Sequence, residues 1–123
     1  MGIFDNILNT KPKMAENDFW NAITSTEDLQ NAISDSYNKK IVIFKHSTRC
    51  FISKTVLKNF ENEVAQSDKN LGYYYLDLLN YRSISNQIAQ DFGVEHQSPQ
   101  IIVLENGKMQ HHASHEQITH DQI

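Results

Sequence analysis

The run Ile41-Val42-Ile43-Phe44-Lys45-His46-Ser47-Thr48-Arg49-Cys50 constrains the fold more than any other stretch of the chain. Its first four residues are apolar and mostly β-branched or aromatic, the pattern of a short buried strand, and Ser47-Thr48 then gives a helix N-cap signal. From Phe51 to Ala65 the apolar residues Ile52, Val56, Leu57, Phe60 and Val64 recur at three- and four-residue intervals. That spacing predicts a helix with one apolar face laid on a sheet. Cys50, the only cysteine, is expected in its first turn.

A thiol reacts as its thiolate, and the first turn of a helix offers unpaired N–H groups and a partial positive charge that favour that form. Arg49 precedes the cysteine, Lys54 follows one turn later, and Ser53 completes a Cys-x-x-Ser pattern. Residues three apart share a helix face, so the Ser53 hydroxyl is expected to donate to the Cys50 sulfur. The competing reading is that a free cysteine is a small buried hydrophobe. Arg49, Ser47-Thr48 and a position out of phase with the strand favour the reactive reading.

At 123 residues the chain suits one domain able to bury a sizeable core without disulfides or metal. A single cysteine permits no internal disulfide. Eleven Lys and Arg against fifteen Asp and Glu give a net charge of −4 with neutral histidines, and no basic run occurs. Nucleic acid is therefore not an expected partner. The apolar runs are too short to span a bilayer, and Met1 to Asp5 lacks the basic region and long apolar core of a secretory signal. Gly2 invites comparison with a myristoylation signal, but Asn6 stands where that signal needs Ser or Thr. A reducing, cytoplasmic setting is the expectation, with no membrane partner.

Two parts are distinguished: an N-terminal extension, residues 1–15, and a domain, residues 16–123. In the extension Ile3, Phe4, Ile7 and Leu8 fit either a short docked helix or a frayed tail. In the domain, Phe19 to Ile23 reads as a first strand, and Thr24 to Asp28 supplies caps and acids for a helix that faces inward through Leu29, Ala32, Ile33 and Tyr37. Gly72 to Leu78 is a third strand, and Ser83 to Phe92 a helix ended by Gly93. Ile101 to Leu104 forms a strand joined through an Asn106-Gly107 turn to a partner over Lys108 to His112. Ser114-His115-Glu116-Gln117 has the form of a capping box opening a final helix. The expected fold class is α/β, with parallel strands joined by helices and a hairpin near the C-terminus.

These residues carry a family resemblance. A strand leading to a cysteine at a helix start, then Ser98-Pro99 before the next-to-last strand and an Asn-Gly hairpin, resembles a thioredoxin-like fold with a central mixed sheet flanked by helices. More narrowly, Lys45 to Ser53, Glu95-His96-Gln97-Ser98-Pro99-Gln100 and Ala113-Ser114-His115 resemble the monothiol bacilliredoxins of the YtxJ-like family, over most of the chain from about Trp20. The resemblance implies a monothiol disulfide reductase acting on mixed disulfides between client proteins and bacillithiol. It implies Cys50 as the catalytic residue and a Ser98-Pro99 bond in cis packed against it. Family members commonly carry proline after the cysteine, where this chain has Phe51.

The candidate substrate-binding residues are Arg49, Phe51, Ser53, Ser98, Pro99 and Ser114. No bound cofactor is expected, since the small thiol enters as co-substrate; the expected partners are S-thiolated proteins and that thiol. Without a second cysteine, Cys50 must take the small thiol onto itself, freeing the client thiol. The N-terminal N–H groups of the Ser114 helix, with Arg49, are expected to meet bacillithiol carboxylates. No metal site is expected: His111 and His112 face opposite sides of a strand, and His115 and His120 diverge on a helix. His46 either assists proton transfer or fills space. The alternative function is a thioredoxin-like binding module with a passenger cysteine. Arsenate reduction is disfavoured because Arg49 and Arg82 are the only arginines.

Overall fold

A computed structural model describes residues 19–123. The expected N-terminal extension, residues 1–15, lies outside the described residues. The elements are β1 (Trp20–Ala22), α1 (Thr26–Asp35), β2 (Ile41–His46), α2 (Phe51–Ala65), β3 (Gly72–Asp77), α3 (Arg82–Phe92), β4 (Gln100–Glu105) and β5 (Lys108–Ser114). Two 3₁₀ turns follow, His115–Gln117 and His120–Gln122.

The strands form one sheet in the order β1-β3-β2-β4-β5. The β1–β3 and β3–β2 pairs are parallel, whereas β2–β4 and β4–β5 are antiparallel. Central β2 is buried at every position because helices cover both faces, which is why its first four residues, Ile41 to Phe44, are a continuous apolar run; Lys45 and His46 are buried at its end. Ile41 and Ile43 point to a core with Leu29, Ala32, Ile84, Ile88 and Ile102. Val42 and Phe44 point the other way, to Leu57, Phe60, Val64, Tyr73, Tyr75 and Ile101.

Local chemistry sets most boundaries. Ser25 caps α1 by accepting from the Asp28 N–H at 3.1 Å, while Asp28 accepts from the Thr24 N–H at 3.0 Å. Gly93 ends α3 in the left-handed conformation, φ 65°.

Four expectations are corrected. Cys50 itself is the N-cap of α2, so Ser47-Thr48 does not cap it. The inward stripe of α2 is Ser53, Leu57, Phe60 and Val64, and Ile52 is 57% exposed. Tyr37 lies beyond the end of α1 and is exposed. No final α-helix follows Ser114: His115 takes a left-handed φ of 57° and only a three-residue 3₁₀ turn forms, with Ser114 making no side-chain cap bond. His115 N–H donates to the Pro99 carbonyl at 3.0 Å, tying the segment to the sheet end instead of to a new helix.

Candidate functional site

The ladders gather the site at one end of the sheet. His46 at the end of β2 pairs with Asp77 at the end of β3. Lys45 pairs with Gln100, the first residue of β4, and Gln100 pairs with Ser114, the last of β5. The Ser47–Cys50 loop and the Ser98-Pro99 segment therefore lie at the same end of the sheet. The Ser98-Pro99 bond is cis, and Pro99 is buried.

Cys50 is half-exposed and free. Its N–H donates to the Ser47 carbonyl at 3.1 Å, and its own carbonyl accepts from the Lys54 N–H at 3.0 Å, the first intrahelical bond of α2. Its side chain stands where a capping Ser or Asp would accept from the N–H groups of the first turn. Its side chain makes no such bond here. The sulfur lies at the positive end of a 15-residue helix.

Ser53 does not serve the sulfur as expected. It is fully buried, its Oγ lies 2.7 Å from His46 Nδ1, and it accepts from the Ser47 N–H at 3.1 Å. The hydroxyl thus pins the strand end and the first loop residue onto α2, and as a substrate contact Ser53 is corrected: it positions the loop from beneath. His46 is buried, and desolvation brings its pKa down to about 4, opposed by Asp77 and reinforced by Lys54. It is a neutral imidazole whose Nδ1 is already engaged. Sequence spacing carried a signal for this pair, because Ser53 leads the stripe through Leu57, Phe60 and Val64 and so belongs to the inward face.

The surface beside the thiol is apolar. Phe51 is 81% exposed, and with Ile52, Thr55 and Val56 it lines a groove of about 310 Å³ closed on the other side by Ile118 and Glu116. Arg49 is exposed next to it. Ser114 is half-exposed, sits across the ladder from Gln100 and precedes only the short 3₁₀ turn, to which its side chain gives no cap bond. Among the histidines, His120 departs from the solvated cluster expected of it: it is buried, with Nε2 2.6 Å from the Tyr73 hydroxyl. Among the described residues no cluster of His, Cys, Asp and Glu could hold a metal ion, and no helix is long and apolar enough to cross a membrane.

The comparisons with known proteins agree with this architecture. A family model described as monothiol bacilliredoxin BrxC matches residues 21–123. A solved structure described as a candidate oxidoreductase with a thioredoxin fold is 29% identical, with a TM-score of 0.73, over 82% of this chain and 87% of its own. The thioredoxin NaTrxh of Nicotiana alata is 22% identical, with a TM-score of 0.64, covering 84% of this chain and 86% of its own. A thioredoxin of Malassezia sympodialis is 19% identical, with a TM-score of 0.63, over 86% of each chain. These last two share the fold.

Proposed function

The chain belongs to the monothiol bacilliredoxin family and carries the thioredoxin fold of a thiol oxidoreductase, and from that premise we propose that Cys50 removes bacillithiol, or a related low-molecular-weight thiol, from protein mixed disulfides. The observation that carries the reading is the single half-exposed cysteine at the N-cap of α2, at the end of the sheet shared with Ser98-Pro99.

The Cys50 thiolate attacks the sulfur of the small thiol. The protein–small-thiol bond breaks as a Cys50–small-thiol disulfide forms, and the client sulfur leaves as a thiolate that takes a proton from solvent. Oxidation state is conserved, because one disulfide replaces another. No second cysteine exists to expel the adduct, so a second small thiol or the thiol of a reductase attacks it, regenerating Cys50 and carrying the small thiol away in a new disulfide. Phe51 and the apolar groove hold the client beside its reacting cysteine, Pro99 and the Ser98 backbone flank it, and Arg49 lies at the rim. A reducing cytoplasm, in which the small thiol is abundant, suits this cycle.

The test is to incubate the protein with a bacillithiolated client and weigh both products. We expect the mass of one bacillithiol to move from client to Cys50, and the Cys50→Ser variant to stay folded and move none. No transfer by the wild-type protein sinks the reading. The exposed Phe51 surface would equally suit a binding module; in that case Cys50→Ser would bind partners as the wild type does and Cys50 would alkylate no faster than free cysteine.

A further inference from the structure

A second polar cluster stands at the same end of the sheet and takes no part in the exchange just described. Lys45 follows Ile41 and Ile43 in the two-residue alternation of β2, so its side chain lies on the α1 and α3 face of the sheet. It is 0% exposed, and its Nζ has no hydrogen-bond partner among the described residues. Desolvation, with Arg82 adding to it, brings its pKa down to about 8. At neutral pH it is therefore still mostly an ammonium, buried and with no salt-bridge partner among the described residues. Few arrangements in a folded protein are costlier.

Gln100 Oε1 and Ser98 Oγ are likewise buried without a partner among the described residues. Gln100 is the ladder neighbour of Lys45; its Nε2 donates to the Glu95 carbonyl at 3.0 Å and lies 3.5 Å from Ser114 Oγ. His96, whose Nδ1 is 3.2 Å from Ser85 Oγ, has its pKa lowered by burial and by the positive charges of Lys45 and Arg82. Arg82 opens α3 and is exposed, while His96, Ser98 and Ser114 are half-exposed. Lys45, Arg82 and His96 thus feel one another's charge, Gln100 lies beside Lys45 in the ladder, and Ser98 stands two residues before Gln100 at the same end of the sheet, with Arg82, His96 and Ser114 reaching solvent.

We propose that Lys45, Arg82, Ser98 and Gln100 form a carboxylate-binding subsite that holds the small thiol while its sulfur is exchanged at Cys50. The inference rests on the reading of Cys50 as acceptor of a small thiol. A carboxylate that docks on the exposed Arg82 guanidinium supplies the missing counter-charge, and a side-chain shift that opens the buried Lys45 Nζ and Ser98 Oγ lets it accept from them as well; Gln100 Oε1 is left to accept a ligand N–H or O–H. The apolar groove cannot play this part, since it offers Phe51, Ile52 and Val56 and bears the acid Glu116. Client and small thiol are thereby separated, the client on the α2 side of Cys50 and the small thiol on the α3 side.

The experiment uses one peptide linked through its cysteine either to mercaptosuccinate, which has two carboxylates, or to neutral 2-mercaptoethanol, and follows adduct formation on Cys50 by mass. The wild type is expected to take mercaptosuccinate at least about tenfold faster, and Arg82→Gln and Lys45→Met to bring that ratio close to one. Should Lys45→Met fail to fold, the exposed Arg82 variant still decides. A wild-type ratio near one, or variants that slow both transfers while keeping the ratio, overturns the subsite. Titration with L-malate gives an answer independent of redox chemistry: it should shift the His96 ring resonances of the wild type and do so at least about tenfold more weakly in Arg82→Gln. If Cys50 accepts neither thiol, the exchange reading fails, and the malate titration still tests the subsite; no shift in the wild type overturns it.

Discussion

At Ser53 one hydroxyl serves two partners, the His46 ring and the Ser47 N–H, and both lose it together on substitution. Ser53→Ala is expected to cost about 1–3 kcal/mol, the penalty of buried polar groups left unpaired, read as a lower urea midpoint at unchanged slope. His46 sets a pH dependence with a definite sign. Its folded pKa of about 4 lies below the ordinary 6.5, so between those values the unfolded chain binds the extra proton and stability falls as pH falls. Denaturation midpoints should drop from pH 6.5 toward pH 4, and His46→Asn should flatten that slope; an equally steep slope in the variant would assign it to His96 and His120. Cys50 was legible from sequence because a lone cysteine after a strand and before an amphipathic run has few places to be. Ser53 was legible only in part. The spacing that puts it on one face with Cys50 does not say whether that face looks at the thiol or into the core, and the choice is made by tertiary packing on His46.

Among the elements, the β4–β5 hairpin shows where local chemistry suffices. Asn106 and Gly107 have φ of 55° and 77°, both left-handed, the geometry that a tight hairpin of the right twist requires. The turn is also tied across the molecule: the Asn106 N–H donates to the Ser36 carbonyl at 2.7 Å and the Gly107 N–H to Ser36 Oγ at 2.8 Å. A Cβ on Gly107 would collide with the Tyr37 hydroxyl. Gly107→Ala is therefore expected to cost at least about 1–2 kcal/mol, the left-handed penalty for a residue with a side chain, and to lower the thermal midpoint by several degrees. The Ser114 segment shows the opposite case. A capping-box pattern names donors and acceptors but not the pull of neighbours: the His115 N–H goes to Pro99, while Ile118 packs into the core against α2. The sequence pattern marks the strand over Lys108 to His112 and fails at Ser114, where β5 runs on and long-range contacts take over.

On the scale of the whole molecule, the last residues act as a clasp. The His120 N–H donates to Glu63 Oε1 at 2.7 Å, His120 Nε2 meets the Tyr73 hydroxyl, and Lys69 Nζ donates to the His120 and Ile123 carbonyls at 3.2 and 2.7 Å. Burial pushes the Tyr73 pKa up to about 12, so the phenol stays protonated on the alkaline side as well. Removing residues 118–123 should cost at least about 2 kcal/mol from the Ile118 side chain alone. Trp20 reports the loss directly, since its ring packs on Phe44, Phe60 and Tyr75; its fluorescence should follow a denaturation curve shifted to lower urea. The strand order has a consequence for how this chain is made. β2 is the centre of the sheet, yet its antiparallel partner begins only at Gln100. While the ribosome is still adding β4 and β5, the nascent chain carries β1, β2 and β3 with the backbone N–H and C=O groups along one side of β2 unpaired, a template on which other chains can pair. Chaperone cover during synthesis should matter most over that interval and cease to matter once the hairpin has closed.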